Sequence, residues 1–383
     1  MKMFAKTFAG LEQVLAKEIT ALGGHDVKPG IRGVSFSGDL ALLYAANYSL
    51  RTALRILVEL HTATVENEDA LYRECKKIAW ENVMSVSQTF SMDATVNSRL
   101  FNHSQYVALK VKDALVDRFR EKQFKRPTVA KSYPDVKVNV HIDHQRLTIS
   151  LDASSESLHL RGYRIIQGEA PINEVLAAGM ILLSDWDIKT PFLDPMCGSG
   201  TIPIEAALIA TNTPPGYYRK EWGFMKWNNY DNELFLQMKE KENAKIRSST
   251  NVSIAAYDKS FAMSRATQQN LISALMDQHV IVEKKDFFKT SEIQNPCHIV
   301  TNPPYGQRLE EENMPAFYSD LGRVLKHYYS GSTAWIITSF EDAMKHVGLK
   351  SGAKIPLFNG ALPCKFYRID LYQGSKKTPS SAD

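Results

Sequence analysis

The sequence predicts an α/β fold for the carboxyl-terminal half of the chain and an α+β fold for the half before it. Beyond residue 190, four apolar runs each lead into a glycine turn, an acid or a proline corner, with helical patterns between them. This alternation predicts an open sheet of parallel strands. Before residue 160, strands and helices alternate without any glycine turn followed by an acid.

The first strand, 192–194, leads into a glycine turn, and 202–210 is predicted to form a helix. Glycines let a ligand approach the backbone, and a helix amino terminus offers free N–H groups. The turn lacks the third glycine of a dinucleotide motif, and its acid would repel a pyrophosphate. S-adenosylmethionine, which has an ammonium group and no phosphate, fits better; a purely structural turn is the alternative. The candidate cofactor-binding residues here are Asp194, Pro195, Cys197, Gly198, Ser199, Gly200 and Thr201.

The second and third strands also end near acids. Strand 252–257 ends at Asp258, which could accept hydrogen bonds from both hydroxyls of a ribose. Strand 280–282 leads to Asp286 and Phe287, which could bind an adenine amino group and cover the ring. The alternative for acids at strand ends is simple solvation.

The fourth strand, near 297–300, precedes a corner that we predict to be catalytic: Asn302, Pro303, Pro304 and Tyr305. Two prolines stiffen the turn and leave its carbonyls free to accept hydrogen bonds. The Asn302 oxygen and the Pro303 carbonyl could hold the hydrogens of an exocyclic amine on a flat ring, while Tyr305 stacks on that ring. Such a corner serves methyl transfer to nitrogen, and Asn302 also borders the predicted cofactor cleft. An ordinary loop is the alternative.

Together these motifs resemble the RNA methyltransferases of the class I type that carry an amino-terminal THUMP domain. The resemblance covers nearly the whole chain and includes Leu-His-Leu-Arg-Gly-Tyr-Arg at 158–164, Ala-Pro-Ile-Asn-Glu at 170–174, Pro-Gly at 215–216 and Phe-Met-Lys-Trp at 224–227. It is strongest to bacterial enzymes that methylate the N2 amine of a guanine in 23S ribosomal RNA; other relatives act on tRNA guanines. Ala256 departs from the glycine that many members have before the ribose acid.

The resemblance implies a Rossmann-like class I methyltransferase domain with a seven-stranded mixed sheet, preceded by a ferredoxin-like segment and a THUMP domain (α+β). The expected division is a ferredoxin-like segment at 1–62, a THUMP domain at 63–157 (a family profile could start near 44), a linker at 158–170, a methyltransferase domain at 171–373 and a disordered tail at 374–383. The implied cofactor is S-adenosyl-L-methionine. The implied partner is RNA, 23S ribosomal RNA or its precursor.

The amino-terminal half carries a modest positive charge. Residues 1–165 hold 23 Lys and Arg against 18 Asp and Glu, whereas the whole chain has a net charge of +4. The densest stretch, 110–137, has nine basic and four acidic residues. It could follow an RNA backbone through Arg118, Arg120, Lys122, Lys125 and Arg126, or simply be the solvated face of a helix.

Three further features have two interpretations each. Arg161 and Arg164 could contact RNA phosphates or only anchor the linker, and Asn173 could border the cofactor or only cap a helix. The insertion 213–250 interleaves aromatic and basic residues; it could stack on unpaired bases or form a lid packed on the sheet.

Bulk properties favour a cytoplasmic protein without a metal. No apolar run approaches the ~18 residues of a membrane helix, and the first residues lack a signal peptide's apolar stretch. The four cysteines, at 75, 197, 297 and 364, are scattered and predict free thiols. Three rival functions remain open: a DNA adenine-N6 methyltransferase, a protein glutamine methyltransferase, and an RNA-binding module with an inactive catalytic domain. The amino-terminal half argues against the first two.

Overall fold

The computed structural model describes residues 1–168, 171–304 and 313–372. Its strands are β1 (Lys2–Lys6), β2 (His25–Gly30), β3 (Gly33–Ser37), β4 (Arg55–Thr64), β5 (Thr89–Asn97), β6 (Thr128–Val129), β7 (Val136–Asp143), β8 (Arg146–Asp152), β9 (Phe192–Asp194), β10 (Ile254–Asp258), β11 (Val280–Lys284), β12 (His298–Thr301), β13 (Thr333–Thr338), β14 (Ser351–Asn359) and β15 (Leu362–Asp370). Its α-helices are α1 (Glu12–Ala21), α2 (Leu40–Ser49), α3 (Glu68–Lys77), α4 (Ser104–Gln123), α5 (Glu174–Leu183), α6 (Thr201–Ala210), α7 (Asn232–Asn243), α8 (Phe261–Ser273) and α9 (Met314–Tyr328). None of the helices in these ranges is long and apolar enough to cross a membrane.

The chain divides into two compact units. The first contains residues 1–7, 15–160 and 214–244; the second contains 8–14, 161–213 and the described residues from 245 onward. The predicted ten-residue tail, 374–383, lies outside the described residues.

The first unit is built on one eight-stranded sheet with the order β2-β3-β1-β4-β8-β7-β5-β6. β5 runs parallel to β7 and β6, and the other neighbours are antiparallel. The predicted α+β class is confirmed, but β1 and β2 were missed. β1 is short, and β2 is an exposed edge strand with a proline, so neither shows a clear alternation of apolar and polar residues.

The insertion supplies part of the first unit's core. The rings of Phe224 and Phe235 lie 4.6 and 5.6 Å from that of Tyr44 on α2, measured between centroids. Trp222 and Trp227 are buried in the same apolar cluster. The expectation that these aromatics pack a lid onto the second sheet is therefore wrong, because residues 214–244 bury them in the first unit.

The second unit contains a seven-stranded mixed sheet with the order β11-β10-β9-β12-β13-β15-β14, as the resemblance implied. The five strands from β11 to β13 are parallel, and β15 is antiparallel to β13. The sequence placed β15 at the edge, but β14 takes that position. β14 is mostly exposed and contains Gly352 and Pro356, so its sequence lacks the alternation that identifies a strand.

Helix α6 supports the glycine turn that precedes it, residues 195–200. All ten of its residues are buried, which explains why its sequence is almost entirely apolar. Because a helix buried all round has little freedom to shift, its amino end is a firm support for the glycine turn before it.

Candidate active site

The predicted ligand-binding residues lie at one edge of the second sheet. β10, β9 and β12 are parallel neighbours, and their carboxyl ends bring Asp258, Asp194 and Asn302 to the same edge. Asp286 follows β11, the next strand outward. Open α/β sheets bind ligands at this edge.

The glycine turn is attached to the end of β10. The Cys197 N–H donates to the Tyr257 carbonyl at 2.9 Å, and the Gly198 N–H donates to Asp258 Oδ2 at 3.0 Å. Gly198 has a φ of +55°, and a Cβ added there would have no heavy atom within 4 Å. The turn therefore has open space beside the backbone, as close approach by a ligand requires.

Thr267, on helix α8, holds the turn from its other side and was not among the predicted site residues. Its hydroxyl donates to the Gly198 carbonyl at 2.8 Å. At Gly200, with a φ of +89°, an added Cβ would lie 2.7 Å from Thr267 Cγ2, so only glycine fits. No local motif identifies Thr267, because its role depends on α8 packing against a turn that is distant in sequence.

Asn270, one helical turn further along α8, was also missed. Its Oδ1 accepts from the N–H groups of Ile165 and Ile166 at 2.9 and 3.0 Å. Its Nδ2 donates to the carbonyls of Ile166 and Ser199, at 2.8 and 2.9 Å. The side chain is 1% exposed and joins the segment before α5 to the glycine turn.

Asp194 is a buried carboxyl at the end of β9, with 1% exposure. The Thr301 hydroxyl and the Met196 N–H both donate to its Oδ1, at 2.9 and 3.2 Å. Burial, with a smaller contribution from the nearby Asp258 charge, raises the pKa of Asp194 to about 7 although both hydrogen bonds act to lower it. A cationic group placed beside this carboxyl would stabilise its ionised form.

Asp258 accepts one backbone hydrogen bond on each carboxylate oxygen. Besides the Gly198 N–H, the Ser260 N–H donates to its Oδ1 at 2.8 Å. A carboxylate has about four lone-pair sites, so two remain for other donors such as a pair of hydroxyls.

Asp286 and Phe287 differ in what they can offer a ligand. Asp286 is half-buried, and its Oδ1 accepts from the Phe288 N–H at 3.1 Å. Phe287 is 2% exposed and stacks on Tyr329 with centroids 5.5 Å apart. Its ring belongs to the core, which leaves little of its face for the predicted contact with adenine.

Asn302 presents an unsatisfied acceptor at the end of β12. Its Oδ1 is buried and has no hydrogen-bond partner among the residues that the structure describes. Pro303 is buried and Pro304 half-buried, whereas Tyr305 lies outside the described residues. Buried polar atoms are nearly always hydrogen-bonded, so this oxygen fits a ligand that donates.

The residues around α5 and α6 are held in place by local hydrogen bonds and by burial. Asn173 caps α5, with its side chain accepting from the Val175 N–H at 2.9 Å. Arg164 pairs with Glu174 at 2.8 Å and donates to the Thr201 hydroxyl at 3.0 Å. The other turn residues, Pro195, Cys197 and Ser199, are buried.

The prediction that Arg161 and Arg164 contact RNA is corrected by their burial. The Arg161 side chain is 1% exposed and lies 3.4 Å from the fully buried carboxylate of Glu205. Arg164 is 11% exposed and held by Glu174. Both guanidiniums are enclosed by protein, so their role is to anchor the chain before α5.

The predicted basic stretch is only partly available for RNA. Arg118 donates to both carboxylate oxygens of Glu81, at 2.8 and 2.6 Å, and is therefore a structural residue and not the RNA contact we predicted. Arg120 is 54% exposed and paired with Asp117 at 3.1 Å. The remaining predicted contacts, Lys122, Lys125 and Arg126, are exposed.

Family models match three consecutive parts of the chain. The RlmL ferredoxin-like domain matches residues 2–57, the THUMP domain matches 65–152, and the RMKL-like methyltransferase domain matches 161–368. The chain belongs to the RMKL-like methyltransferase family. The resemblance stated from the sequence motifs is thereby confirmed.

Relatives of this RMKL-like chain include proteins named as RNA methyltransferases. A Synechocystis protein named "Putative RNA methyltransferase slr0064" is 35% identical, over 96% of both chains. The "Ribosomal RNA large subunit methyltransferase K/L" of Syntrophotalea carbinolica is 36% identical over 97% of this chain, which spans 54% of that relative. A crystal structure of "SMU.472, a putative methyltransferase complexed with SAH" superimposes with a TM-score of 0.88, at 25% identity and 98% and 99% coverage of the two chains.

The family's cofactor, S-adenosylmethionine, fits the residues at this sheet edge. The turn offers open space beside Gly198, Asp194 suits a cation, and Asp258 retains free acceptor sites. In the described part of the chain, no cluster of three or more His, Cys, Asp or Glu is placed to hold a metal ion.

Affinity for S-adenosylmethionine should depend on pH through Asp194. Its pKa of about 7 means that the carboxyl is mostly protonated at pH 6 and mostly ionised at pH 8. We expect affinity to rise about tenfold over that interval, because the cationic ligand favours the carboxylate. Isothermal titration calorimetry will measure this, and Asp194→Asn should bind weakly without the pH dependence. A wild-type affinity that is flat from pH 6 to 8 would contradict the assignment.

The same carboxyl should make the unliganded fold less stable as pH rises. An unfolded aspartate ionises near 3.8, so between that value and about pH 7 the folded chain binds the extra proton. The expected loss across this window is up to roughly 4 kcal/mol, and it should be absent from Asp194→Asn. Urea denaturation of both proteins at pH 5 and pH 8 will measure the part of this loss that falls between pH 5 and 7, about 2.7 kcal/mol.

Asn270→Ala should weaken cofactor binding although Asn270 lies outside the predicted cofactor contacts. It removes four hydrogen bonds and leaves the Ser199 carbonyl unpaired, so we expect about 2–4 kcal/mol of destabilisation. The dissociation constant for S-adenosylmethionine should rise about tenfold as the turn loosens. Gln269→Ala, on the same helix, is the control. Lost stability with unchanged affinity would leave Asn270 a packing role only.

Proposed function

We propose that this chain transfers a methyl group from S-adenosylmethionine to the exocyclic N2 amine of a guanine in structured RNA, with 23S ribosomal RNA or its precursor as substrate. The observation that carries the proposal is the buried Oδ1 of Asn302, which has no hydrogen-bond partner in the described part of the chain and lies at the sheet edge that also holds Asp194 and Asp258. The THUMP match and the names of the relatives support RNA as the substrate.

Each acid at the edge has a proposed partner on the cofactor. Asp194 binds the ammonium group, Asp258 the ribose hydroxyls and Asp286 the adenine amino group. The backbone of turn 195–201 borders the methionine part, with Thr267 and Asn270 holding that backbone in place. These roles follow from charge and hydrogen-bonding capacity.

The Asn302 corner orients the amine. Bound S-adenosylmethionine supplies an electrophilic methyl group on a sulfonium that carries its own leaving group. The Asn302 side-chain oxygen and the Pro303 carbonyl accept the amine hydrogens, which turns the nitrogen lone pair toward the methyl carbon. The C–N bond would form as the C–S bond of the sulfonium breaks, S-adenosylhomocysteine would be the leaving group, and the surplus amine proton would pass to solvent after transfer. Alignment at roughly 3–3.5 Å between the reacting atoms accounts for the rate, so no general base is assigned. Tyr305 stays the predicted stacking residue.

The target guanine must leave its helix to reach this corner. Flipping a base costs a few kcal/mol, which binding elsewhere on the RNA has to offset. The exposed cations Lys122, Lys125 and Arg126 of the THUMP region provide that binding through phosphate contacts.

Nucleoside mass spectrometry after methylation in vitro tests the proposal. The protein is incubated with isotope-labelled S-adenosylmethionine and, in parallel, with unmodified 23S ribosomal RNA, tRNA, DNA and a protein substrate. N2-methylguanosine in ribosomal RNA is expected. The same product in tRNA would identify a tRNA guanine-N2 methyltransferase, and N6-methyladenine in DNA would replace the proposal. A deletion strain that lacks one N2-methylguanosine, located by primer extension, would identify the position.

Asn302→Ala should separate catalysis from cofactor binding. Because Asn302 faces the acceptor amine, we expect kcat to fall at least about a hundredfold. The calorimetric affinity for S-adenosylmethionine should stay within about threefold of wild type. Asn251→Ala, an exposed asparagine of the same unit, should leave both quantities unchanged. Near-normal turnover in Asn302→Ala would remove this residue from the reaction.

Reversing the charge of Lys122, Lys125 and Arg126 to glutamate should weaken RNA binding and its salt dependence. Each lost phosphate contact lowers the slope of log K against log salt by about 0.7–0.9. Three contacts predict a change of about two to three, measured by anisotropy titrations at several salt concentrations. Lys17→Glu with Lys28→Glu, exposed lysines of the same unit, is the control. An unaltered slope would favour a merely solvated surface.

A further inference from the structure

One segment of the first unit combines positive charge with exposed aromatic rings. Residues 122–134 contain no Asp or Glu. Their four cations are all exposed: Lys122, Lys125, Arg126 and Lys131. Phe124 and Tyr133 are each 91% exposed, whereas aromatic side chains in a folded domain are usually largely buried.

The backbone conformation does not explain why aromatic residues occupy positions 124 and 133. Phe124 ends α4 with a φ of +56°, and Tyr133 has a φ of +49°. Bulky side chains disfavour this left-handed region, and glycine or asparagine is the usual residue at a helix end of this kind. Because the rings bury almost nothing, neither conformation nor packing accounts for an aromatic residue at either position.

The two rings flank an anchored piece of chain. Strand β6, between them, is the outermost strand of the eight-stranded sheet and pairs in parallel with β5. The Ala130 N–H also donates to the Phe90 carbonyl at 3.0 Å. Pro127 and Pro134, on either side of β6, are buried. The rings therefore project from a backbone that is fixed at its centre.

We propose that the 122–134 segment binds an unpaired stretch of the RNA substrate, with bases stacked on Phe124 and Tyr133 and phosphates on the four cations. The inference rests on the proposed function and adds the kind of RNA that is bound. A duplex conceals the faces of its bases, whereas a single strand exposes them to aromatic side chains. Charge alone would serve a duplex equally well, so the rings are what favour the single strand.

The test compares single-stranded and duplex RNA on full-length protein. Phe124→Gly, Tyr133→Ala and the double variant are titrated against a labelled oligouridylate and a duplex of equal length. We expect single-strand affinity to fall about tenfold for each ring, and duplex affinity to change less than twofold. Phe124→Gly should melt at or above the wild-type temperature, because glycine relieves the left-handed strain. Ile31→Ala, which alters a 92% exposed apolar residue of the same unit, is the control.

Three outcomes overturn the inference, and they are distinct from a failure of the proposed function. Unchanged single-strand affinity in the double variant would exclude stacking, as would equal losses for single strand and duplex. Polyglutamate competing as well as oligouridylate would indicate an acidic protein partner instead. Failure to form N2-methylguanosine would refute the proposed function while leaving these titrations interpretable.

Discussion

The hydrogen bond from the Gly198 N–H to Asp258 is the interaction on which the candidate site depends. It joins the loop after β9 to the end of β10, so the two loops share one geometry. The Thr267 hydroxyl and the Asn270 amide hold the neighbouring carbonyls of the same turn from α8. A shift of α8 would thus move both the turn and the proposed ribose site. Rigid support of this kind is what alignment-dependent catalysis requires.

The electrostatics of the site are asymmetric. Asp194 is buried with a pKa raised to about 7, while Asp258 lies closer to solvent and accepts two backbone hydrogen bonds. The buried carboxyl is costly to ionise until a cation arrives, so it favours a positively charged ligand. Burial also raises the pKa of the Cys197 thiol well above its usual value, which keeps this cysteine protonated beside the carboxylates.

The sequence located those site residues whose signals are local. Asp194, Asp258 and Asn302 follow apolar runs directly, and their order along the chain fixed their place at one sheet edge. Thr267 and Asn270 escaped detection because their partners lie about 70 to 105 residues away in sequence. Arg118 and Arg161 were misassigned because their carboxylate partners, Glu81 and Glu205, lie 37 and 44 residues away. The partner of Arg164 is only 10 residues away, but the sequence does not show that the two are buried together. A basic residue looks available for RNA until a distant carboxylate such as Glu205 is found beside it. The missed strands β2 and β14 are exposed edges, where burial imposes no alternation.

The crossing of the chain back into the first unit at 214–244 has a consequence for biosynthesis. Five buried residues from 214–244 complete a core whose other buried members come from the first 160 residues: Trp222, Phe224, Trp227, Phe235 and Met238. The amino-terminal unit therefore cannot finish folding on the ribosome until residue 244 has emerged, by which time the first βα unit of the other sheet has been made. Expression of either half by simple truncation would leave aromatic surfaces without their partners and favour aggregation.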